Sequence, residues 1–311
     1  MFLNSRKWDP RGKSCYVTGG SQGLGLALSV LLAKKGANVT IVARDVKKME
    51  EAVKLLEEHR QEPSQVFRYH SFSLNSADGA AAAVEAERAA AGGPSDAYFL
   101  CAGNSKPLYW LENTSEDLTA GMDQAYWVQA WTAHAASKLL VREKRTGKIV
   151  FISSTLALMS FVGYTSYSPG KHALKGLAET LRSELLLYGI DIHIFFAPTM
   201  LTPGYDEEMK TKPYITKKIE EDDSALTSEQ AAAILFKGVA KGHHHISGNF
   251  ITSLFRASSR GSAPSPNAFA DFFLDNIAWI AIPIWRKLTD RSVIAHRDEH
   301  QKYLESKGLL G

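Results

Sequence analysis

The sequence predicts an α/β fold: one domain built on a doubly wound, mainly parallel sheet of seven strands with helices on both faces. Two observations carry this prediction. Apolar, strand-like runs alternate with helical runs of about 12 residues, which is typical of βαβ units. A glycine-rich turn follows the first strand, and open parallel sheets bind ligands at the carboxyl ends of their strands. We expect this domain to cover residues 1–256 and to be followed by a loop and an apolar helical tail over residues 257–311.

Six strands can be placed from the sequence, and a seventh is expected after the histidine run at His243. In chain order the six are Cys15 to Thr18, Asn38 to Ala43, Val66 to Phe72, Tyr98 to Ala102, Lys148 to Ser154 and Ile192 to Ala197. Helical sequence separates them, including Leu24 to Lys35, Val46 to Arg60 and Ala77 to Ala91. Right-handed crossovers between such units give the doubly wound topology. The stretch from Pro198 to Leu226 has weak periodicity and is interpreted as an ordered lid over a pocket.

Composition excludes several classes of protein. The 311 residues are 45% hydrophobic and 22% charged, with a net charge of +3, which is too small and too dispersed for a nucleic-acid footprint. Two cysteines, Cys15 and Cys101, exclude a disulfide scaffold and indicate buried thiols in a reducing compartment.

The run His243 to His245 is interpreted as a solvated loop. Consecutive side chains point in different directions, so no metal site is expected there. No apolar run has the length of a signal peptide or a spanning helix, and we expect an intracellular protein.

The glycine turn is the predicted cofactor site. It lies between a strand and a helix, where glycine lets the backbone approach a pyrophosphate and the helix N-terminus offers free N–H groups. Its candidate cofactor-binding residues are Gly19, Ser21, Gln22, Gly23, Leu24 and Gly25. At the end of the second strand Arg44 stands where an NAD enzyme carries a carboxylate, with Lys47 and Lys48 close behind. A guanidinium matches a 2′-phosphate, so the predicted cofactor is NADPH, with Arg44 and Lys48 as contacts.

Three residues form a candidate catalytic group. Tyr167 and Lys171 are four residues apart at the predicted start of a helix, so their side chains share one face. We expect the ammonium of Lys171 to lower the pKa of the Tyr167 phenol and make it a usable general acid. Ser154 ends the fifth predicted strand, where its hydroxyl can stabilise a developing alkoxide.

These motifs together resemble the short-chain dehydrogenase/reductase family, from about Gly12 to Thr252. The resemblance rests on the turn from Thr18 to Gly25, the Ala102-Gly103 pair, and Ser154, Tyr167 and Lys171. It implies a Rossmann-like fold, cofactor contacts from Ala102, Gly103, Thr202, Tyr167 and Lys171, and assembly into dimers or tetramers. Four departures from the family pattern are Ser73 for an aspartate at the adenine, Leu100 and Ala125 for asparagines, and Ser168-Pro169-Gly170 after the tyrosine.

One segment resembles a particular branch of that family. The run from Leu201 to Tyr205, followed by Lys212-Pro213, is similar to the substrate loop of reductases for long-chain sphingoid ketones. This implies reduction of the C3 ketone of such a lipid in sphingolipid synthesis, at the cytosolic face of the endoplasmic reticulum membrane. Two alternatives stay open: a reductase of another lipid or steroid ketone, and a cofactor-binding scaffold with weak turnover, which Ser73, Leu100 and Ala125 favour.

The tail contains an apolar helical stripe from Phe269 to Leu288. Asp271 and Asp275 interrupt it, so we expect it to lie in a membrane interface rather than to span a bilayer. Trp279, Trp285 and the Arg286-Lys287 pair would then lie near the headgroups. The alternative interpretation is a helix that covers the substrate pocket or an oligomer contact.

Overall fold

A seven-stranded parallel sheet forms the centre of the protein, whose structure, a computed structural model, describes residues 7–221 and 225–309. The strands are β1 Ser14–Thr18, β2 Asn38–Ala43, β3 Phe67–Ser71, β4 Ala97–Leu100, β5 Gly147–Ser154, β6 Ile190–Ala197, β7 Met200–Leu201, β8 Leu226–Thr227 and β9 His245–Ser247. The large sheet has the order β3-β2-β1-β4-β5-β6-β9, and β7 and β8 form a separate parallel pair. The predicted doubly wound α/β class is confirmed.

The helices alternate with the strands as the sequence predicts. They are α1 Gly23–Ala33, α2 Val46–Glu57, α3 Ala77–Ala91, α4 Ser115–Met122, α5 Val128–Arg142, α6 Ser168–Glu184, α7 Pro203–Thr211, α8 Tyr214–Ile219, α9 Ser228–Ala240, α10 Phe250–Ser259, α11 Ala268–Ala295 and α12 Arg297–Ser306. A π-helical turn, Asp123–Trp127, joins α4 to α5.

Both faces of the sheet are covered by apolar helix surfaces. One buried cluster packs Leu28 of α1, Met49 of α2 and Leu235 of α9 against the sheet. The other packs helices α3, α5 and α6, with Val84 and Leu174 among its members. Central strands buried on both faces need continuous apolar sequence, which is why β4 reads as Ala-Tyr-Phe-Leu rather than as an alternating pattern.

The order of the strands places the functional crevice. Strand β1 pairs with β2 on one side and with β4 on the other, so the chain reverses its direction of winding between them. In open α/β sheets, ligands bind outside the carboxyl ends of the strands at this reversal. The turn after β1 and the ends of β4 and β5 therefore face one crevice.

The C-terminal part is helical and packs on the domain. A buried ion pair joins α10 to α11: Arg256 Nη1 donates to Asp271 Oδ2 at 2.8 Å, and Nη2 donates to Oδ1. Ser265 also donates to this carboxylate, at 2.7 Å. Tyr303 of α12 donates to Glu112 at 2.6 Å. The tail is therefore docked along its length.

Two local predictions were wrong. The loop predicted from composition between Ala257 and Ala268 is shorter, because α10 continues to Ser259. The histidine run is not a solvated loop, since His245 opens β9 and is 1% exposed. Backbone carbonyls replace water there: His244 Nδ1 is 2.7 Å from Ile192 O. Burial lowers the pKa of His245 to about 3, so a neutral imidazole fits the core.

Candidate active site

A cavity of about 850 Å³ lies at the carboxyl edge of the sheet. It collects every residue for which the sequence predicts a cofactor or catalytic role: Gly19, Ser21, Gln22, Gly23, Leu24, Gly25, Arg44, Lys48, Ala102, Gly103, Ser154, Tyr167, Lys171 and Thr202. The roles of these residues stay predictions, but all of them line the same crevice. Lys47, by contrast, is exposed and does not line the cavity.

The glycine turn forms a cradle that side chains would fill. A Cβ on Gly25 would lie 2.3 Å from the carbonyl oxygen of Gly19, and Gly19 itself has φ +63°. The N-cap of α1, Gln22, makes no side-chain capping bond, and the first turn of α1 contains no acidic residue. The N–H groups at this terminus can therefore bind an anion, and the cradle fits the pyrophosphate of a dinucleotide.

The wall opposite the cradle is fixed by the turn after β4. Thr18 Oγ1 accepts a hydrogen bond from Ala102 N at 3.0 Å, which ties this turn to β1. Gly103 has φ +143°, and a Cβ there would lie 2.5 Å from Gln124 O. Thr202 approaches from the opposite side, because a Cβ on Gly23 would lie 3.4 Å from it. The family-derived contacts thus enclose the glycine turn.

The outer end of the cavity carries basic side chains. Arg44 is exposed, and Lys48 Nζ donates to Gln22 Oε1 at 3.3 Å. One carboxylate, Asp45, also lines this end, but it caps α2 by accepting from Lys48 N at 3.1 Å. Its charge is thereby directed at a helix N-terminus, and Arg44 is left to face solvent at the mouth of the cavity.

Ser154, Tyr167 and Lys171 converge because strand β5 and helix α6 meet there. Ser154 ends β5, and its hydroxyl lies close enough to Tyr167 to lower the pKa of the phenol in part. Tyr167 is the residue before α6, and Lys171 lies one turn along it, with Nζ 5.3 Å from the centre of the phenol ring. Pro169 falls in the first turn of α6, where proline breaks no helical hydrogen bond.

The pKa values of this group differ from the expectation. Burial raises the pKa of Tyr167, and the charge of Glu208 raises it further, whereas the sequence predicted a decrease caused by Lys171. Burial lowers the pKa of Lys171 to about 7. Lys171 Nζ donates to Ile152 O at 2.9 Å rather than to the phenol. Tyr167 is therefore a protonated phenol at neutral pH, and Lys171 titrates near neutrality.

One positioning residue, Gln129, was missed by sequence reasoning. It is 1% exposed; its Nε2 donates to Ile152 O at 2.8 Å, and its Oε1 accepts from Ile152 N at 3.0 Å. The same carbonyl therefore accepts from Gln129 and Lys171. A buried glutamine in an apolar helix was the available signal, because a buried amide needs partners.

Two of the four departures from the family pattern lie in close contact. Ala125 is fully buried in the π-helical turn, and a Cβ on Gly170 would lie 2.6 Å from its methyl group. Gly170 thus makes room for Ala125. Leu100 is buried at the end of β4, while Ser73 does not line the cavity.

The predicted lid lines the other end of the cavity. Helix α7 contributes Tyr205 and Glu208, and the residues that follow α7 and α8 are Lys212 and Glu220. Tyr164 lies beside them. Lys212 Nζ donates to Glu220 at 2.7 Å, and Tyr164 donates to the other oxygen of Glu220, also at 2.7 Å. Residues 222–224 of the lid lie outside the described part of the chain.

The wall of the cavity farther from the sheet is apolar. Helix α11 supplies Ala281, Ile282 and Trp285, and Trp285 packs edge-on against Phe255 at 5.4 Å between ring centres. The opposite side of α11 is exposed: Trp279 is 80% and Phe272 is 64% accessible. Among the described helices α11 has the length and composition to cross a membrane, with 11% of its most apolar window buried.

Comparison with known proteins agrees with this geometry. The profile of the short chain dehydrogenase family matches residues 13–213, and the chain belongs to that family of oxidoreductases. Within it, the chain is similar to 3-ketodihydrosphingosine reductase of Cryptococcus neoformans, with 44% identity over 97% of this chain and 90% of the relative. A 3-dehydrosphinganine reductase of Danio rerio is 34% identical over 75% of this chain and 70% of its own length.

Solved structures share the fold. L-sorbose reductase of Gluconobacter frateurii, complexed with NADPH and L-sorbose, matches with a TM-score of 0.65 and 21% identity over 78% of this chain and 98% of that one. A short chain dehydrogenase of Mycobacterium paratuberculosis bound to NAD matches with a TM-score of 0.66 and 22% identity over 77% and 97%. At these identities the likeness concerns the fold alone.

Proposed function

We propose that this protein reduces the C3 ketone of 3-ketodihydrosphingosine to an alcohol with NADPH, as a step of sphingolipid synthesis. The observation that carries the proposal is the convergence of Ser154, Tyr167 and Lys171 beside the glycine cradle, in a cavity with an apolar outer wall. The names of the similar proteins from Cryptococcus neoformans and Danio rerio support this substrate class.

The chain supplies the proton and the binding of the carbonyl group. The cofactor, when bound in the cradle, supplies the hydride. Ser154 and Tyr167 donate hydrogen bonds to the ketone oxygen, and Tyr167 transfers its proton as the oxygen becomes an alcohol. The raised pKa of Tyr167 keeps this proton in place at neutral pH. Lys171 lies beside the ring, with Nζ 5.3 Å from its centre, and provides a titratable group for returning the proton.

Preference for NADPH is part of the proposal. Arg44 and Lys48 both line the outer end of the cavity, so two cationic side chains are available to bind a 2′-phosphate. A guanidinium forms paired, charge-assisted hydrogen bonds with phosphate. The carboxylate of Asp45 caps α2, and we infer that it is therefore not available to bind the ribose hydroxyls.

Access from a membrane is also proposed, with the cytosolic face of the endoplasmic reticulum as the location. Helix α11 has two different apolar sides: one lines the cavity, and the other is exposed. A helix that lies flat on the bilayer satisfies both, because it buries its outer side and brings the cavity to the surface. Arg286 donates to Ser160 O at 2.7 Å, and this contact supports a helix that lies along the domain.

The direct test is NADPH oxidation by the purified full chain with 3-ketodihydrosphingosine in detergent, with a steroid ketone as the comparison substrate. Turnover of the sphingoid ketone with formation of dihydrosphingosine supports the proposal. Turnover of the steroid alone, or of neither ketone, would contradict it.

The Tyr167→Phe variant tests the mechanism. It removes the proton donor but keeps the ring, so kcat should fall by at least about 10²-fold, the low end for general acid catalysis. NADPH affinity, measured by fluorescence titration, should change little. A variant with wild-type kcat would rule out Tyr167 as the donor.

A further inference from the structure

Two partly buried carboxylates share one ammonium at the lid end of the cavity. Glu220 is fully engaged, because one oxygen accepts from Lys212 and the other from Tyr164. Glu208 lies farther from Lys212, with 3.7 Å between Nζ and Oε2. Lys212 itself is 5% exposed, so its ammonium is shielded from water. One negative charge on Glu208 is left weakly compensated.

Glu208 faces the reaction centre from the helix of the lid. Tyr205, Glu208 and Lys212 all line the cavity, and a spacing of three and four residues places them on one helical side. The Glu208 carboxylate is close enough to Tyr167 to raise the pKa of that phenol. Tyr164, which donates to Glu220, lies beside this phenol, with its ring 6.2 Å from that of Tyr167.

A partly buried carboxylate with incomplete charge compensation favours the binding of a cation. Burial raises the pKa of Glu208, while Ser105 and Lys212 lower it in part, so the site lacks a full charge partner. The substrate of the proposed function carries a cation, since 3-ketodihydrosphingosine has an amine on the carbon next to its ketone. A ketone oxygen at Ser154 and Tyr167 places that amine either on the Glu208 side of the cavity or toward the cofactor. The carboxylate of Glu208, which lines the cavity, favours the first arrangement.

We propose that Glu208 recognises the protonated amine of the substrate and so selects 2-amino ketones over plain long-chain ketones. The ligand assignment rests on the proposed function. Glu208 binds the ammonium through a charge-assisted hydrogen bond, Glu220 and Lys212 hold the lid helices around it, and the apolar wall at α11 receives the alkyl chain.

The experiment compares a short-chain 2-amino-1-hydroxy-3-ketone with the same ketone lacking the amine. Binding of each to the full chain is measured by calorimetry, with no reductant added, and turnover is measured separately. Wild type should bind the amino ketone about 10-fold to 100-fold more tightly, the range of one charge-assisted bond. Glu208→Gln should abolish this preference, with little effect on the plain ketone.

A matched control lies next to it on the same helix. Glu207 is exposed and pairs with Lys210, so Glu207→Gln should keep the preference for the amine. Equal binding of both ketones by wild type, or an unchanged preference in Glu208→Gln, would overturn the inference. Selective binding that depends on Glu208, but without turnover of either ketone, would leave it standing and defeat the proposed reductase function instead.

Discussion

Arg44 is the residue that decides the choice of cofactor in the proposed function. Arg44→Ala removes the guanidinium from the outer end of the cavity and leaves the glycine cradle unchanged. NADPH binding should weaken by about 1.5–3 kcal/mol, the contribution of a hydrogen bond to a charged group, while NADH binding should hardly change. Titration of both cofactors into wild type and variant measures this difference. Equal losses for both would mean that Arg44 does not contact the 2′-phosphate.

Lys171 makes stability depend on pH in a defined direction. Its pKa is about 7 in the folded chain and is near 10.5 for an exposed lysine. Between these values the unfolded chain holds a proton that the folded chain lacks, so the contribution of Lys171 to stability rises with pH across this window. Urea unfolding measures the free energy of unfolding of the wild type and of Lys171→Met. From about pH 7 to about pH 10, this free energy should increase for the wild type relative to the variant. Parallel pH profiles would show that Lys171 keeps its ordinary pKa.

At the level of single residues, the sequence was sufficient to predict those site residues that lie close together along the chain. The turn from Gly19 to Gly25 and the pair Tyr167 and Lys171 are local, and the structure brings them to one cavity. The direction of the Tyr167 pKa was not predictable, because it depends on burial and on Glu208, which is distant in sequence. Gln129 was missed for the same reason: its partner, Ile152, belongs to another element.

Helix α6 depends on one close contact that a glycine makes possible. A Cβ on Gly170 would lie 2.6 Å from the methyl group of Ala125, so Gly170→Ala forces α6 away from the π-helical turn. We expect a loss of about 1–3 kcal/mol in the free energy of unfolding, the usual cost of overpacking. Because Tyr167 and Lys171 lie in this first part of α6, kcat should fall as well. Urea unfolding and steady-state kinetics measure the two effects.

Gly176 provides the control within the same helix. No atom lies within 4 Å of a Cβ placed there, so Gly176→Ala should stabilise the protein by about 1 kcal/mol, the difference in helix propensity. Loss of stability in both variants would indicate a general sensitivity of α6, not a specific contact at Ala125.

Elements with regular periodicity were predictable, and elements defined by tertiary contacts were not. The strands β1 to β6 and helices α1 to α3 lie within a few residues of their predicted bounds. Strand β9 was not placed on His245, because three consecutive histidines have the pattern of a polar loop. The burial of His244 depends on a backbone carbonyl group of the adjacent strand β6. The sequence around the histidines does not indicate that this strand lies beside them.

At the scale of the whole molecule, the exposed side of α11 predicts membrane binding. A variant with Phe272→Ser, Trp279→Ser and Ile280→Ser removes three side chains that are 64%, 80% and 61% exposed, so the fold should persist. Each apolar side chain contributes roughly 1.5–3 kcal/mol when buried, so vesicle binding should fall at least about tenfold. Co-sedimentation with liposomes of endoplasmic reticulum lipids measures it.

The matching control changes an apolar surface elsewhere. Leu186 and Leu187 are 61% and 85% exposed after α6, and replacing both with serine should leave vesicle binding intact. If this control loses binding as much as the α11 variant, the membrane contact is not specific to the tail. Assembly into dimers or tetramers, expected from the family resemblance, stays a prediction.

The cavity carries opposite charge at its two ends. Arg44 and Lys48 outweigh Asp45 at the mouth beside α2, and Glu208 and Glu220 outweigh Lys212 below the lid. A long molecule with phosphates therefore has one favourable direction in which to lie, and a lipid with a cationic head has the other. The same polarity disfavours either ligand of the proposed function in the opposite half. On that proposal, the two ligands would be separated by the sign of their charge before any specific contact forms. Added salt should blur this sorting, and free phosphate should compete with the dinucleotide but not with the lipid.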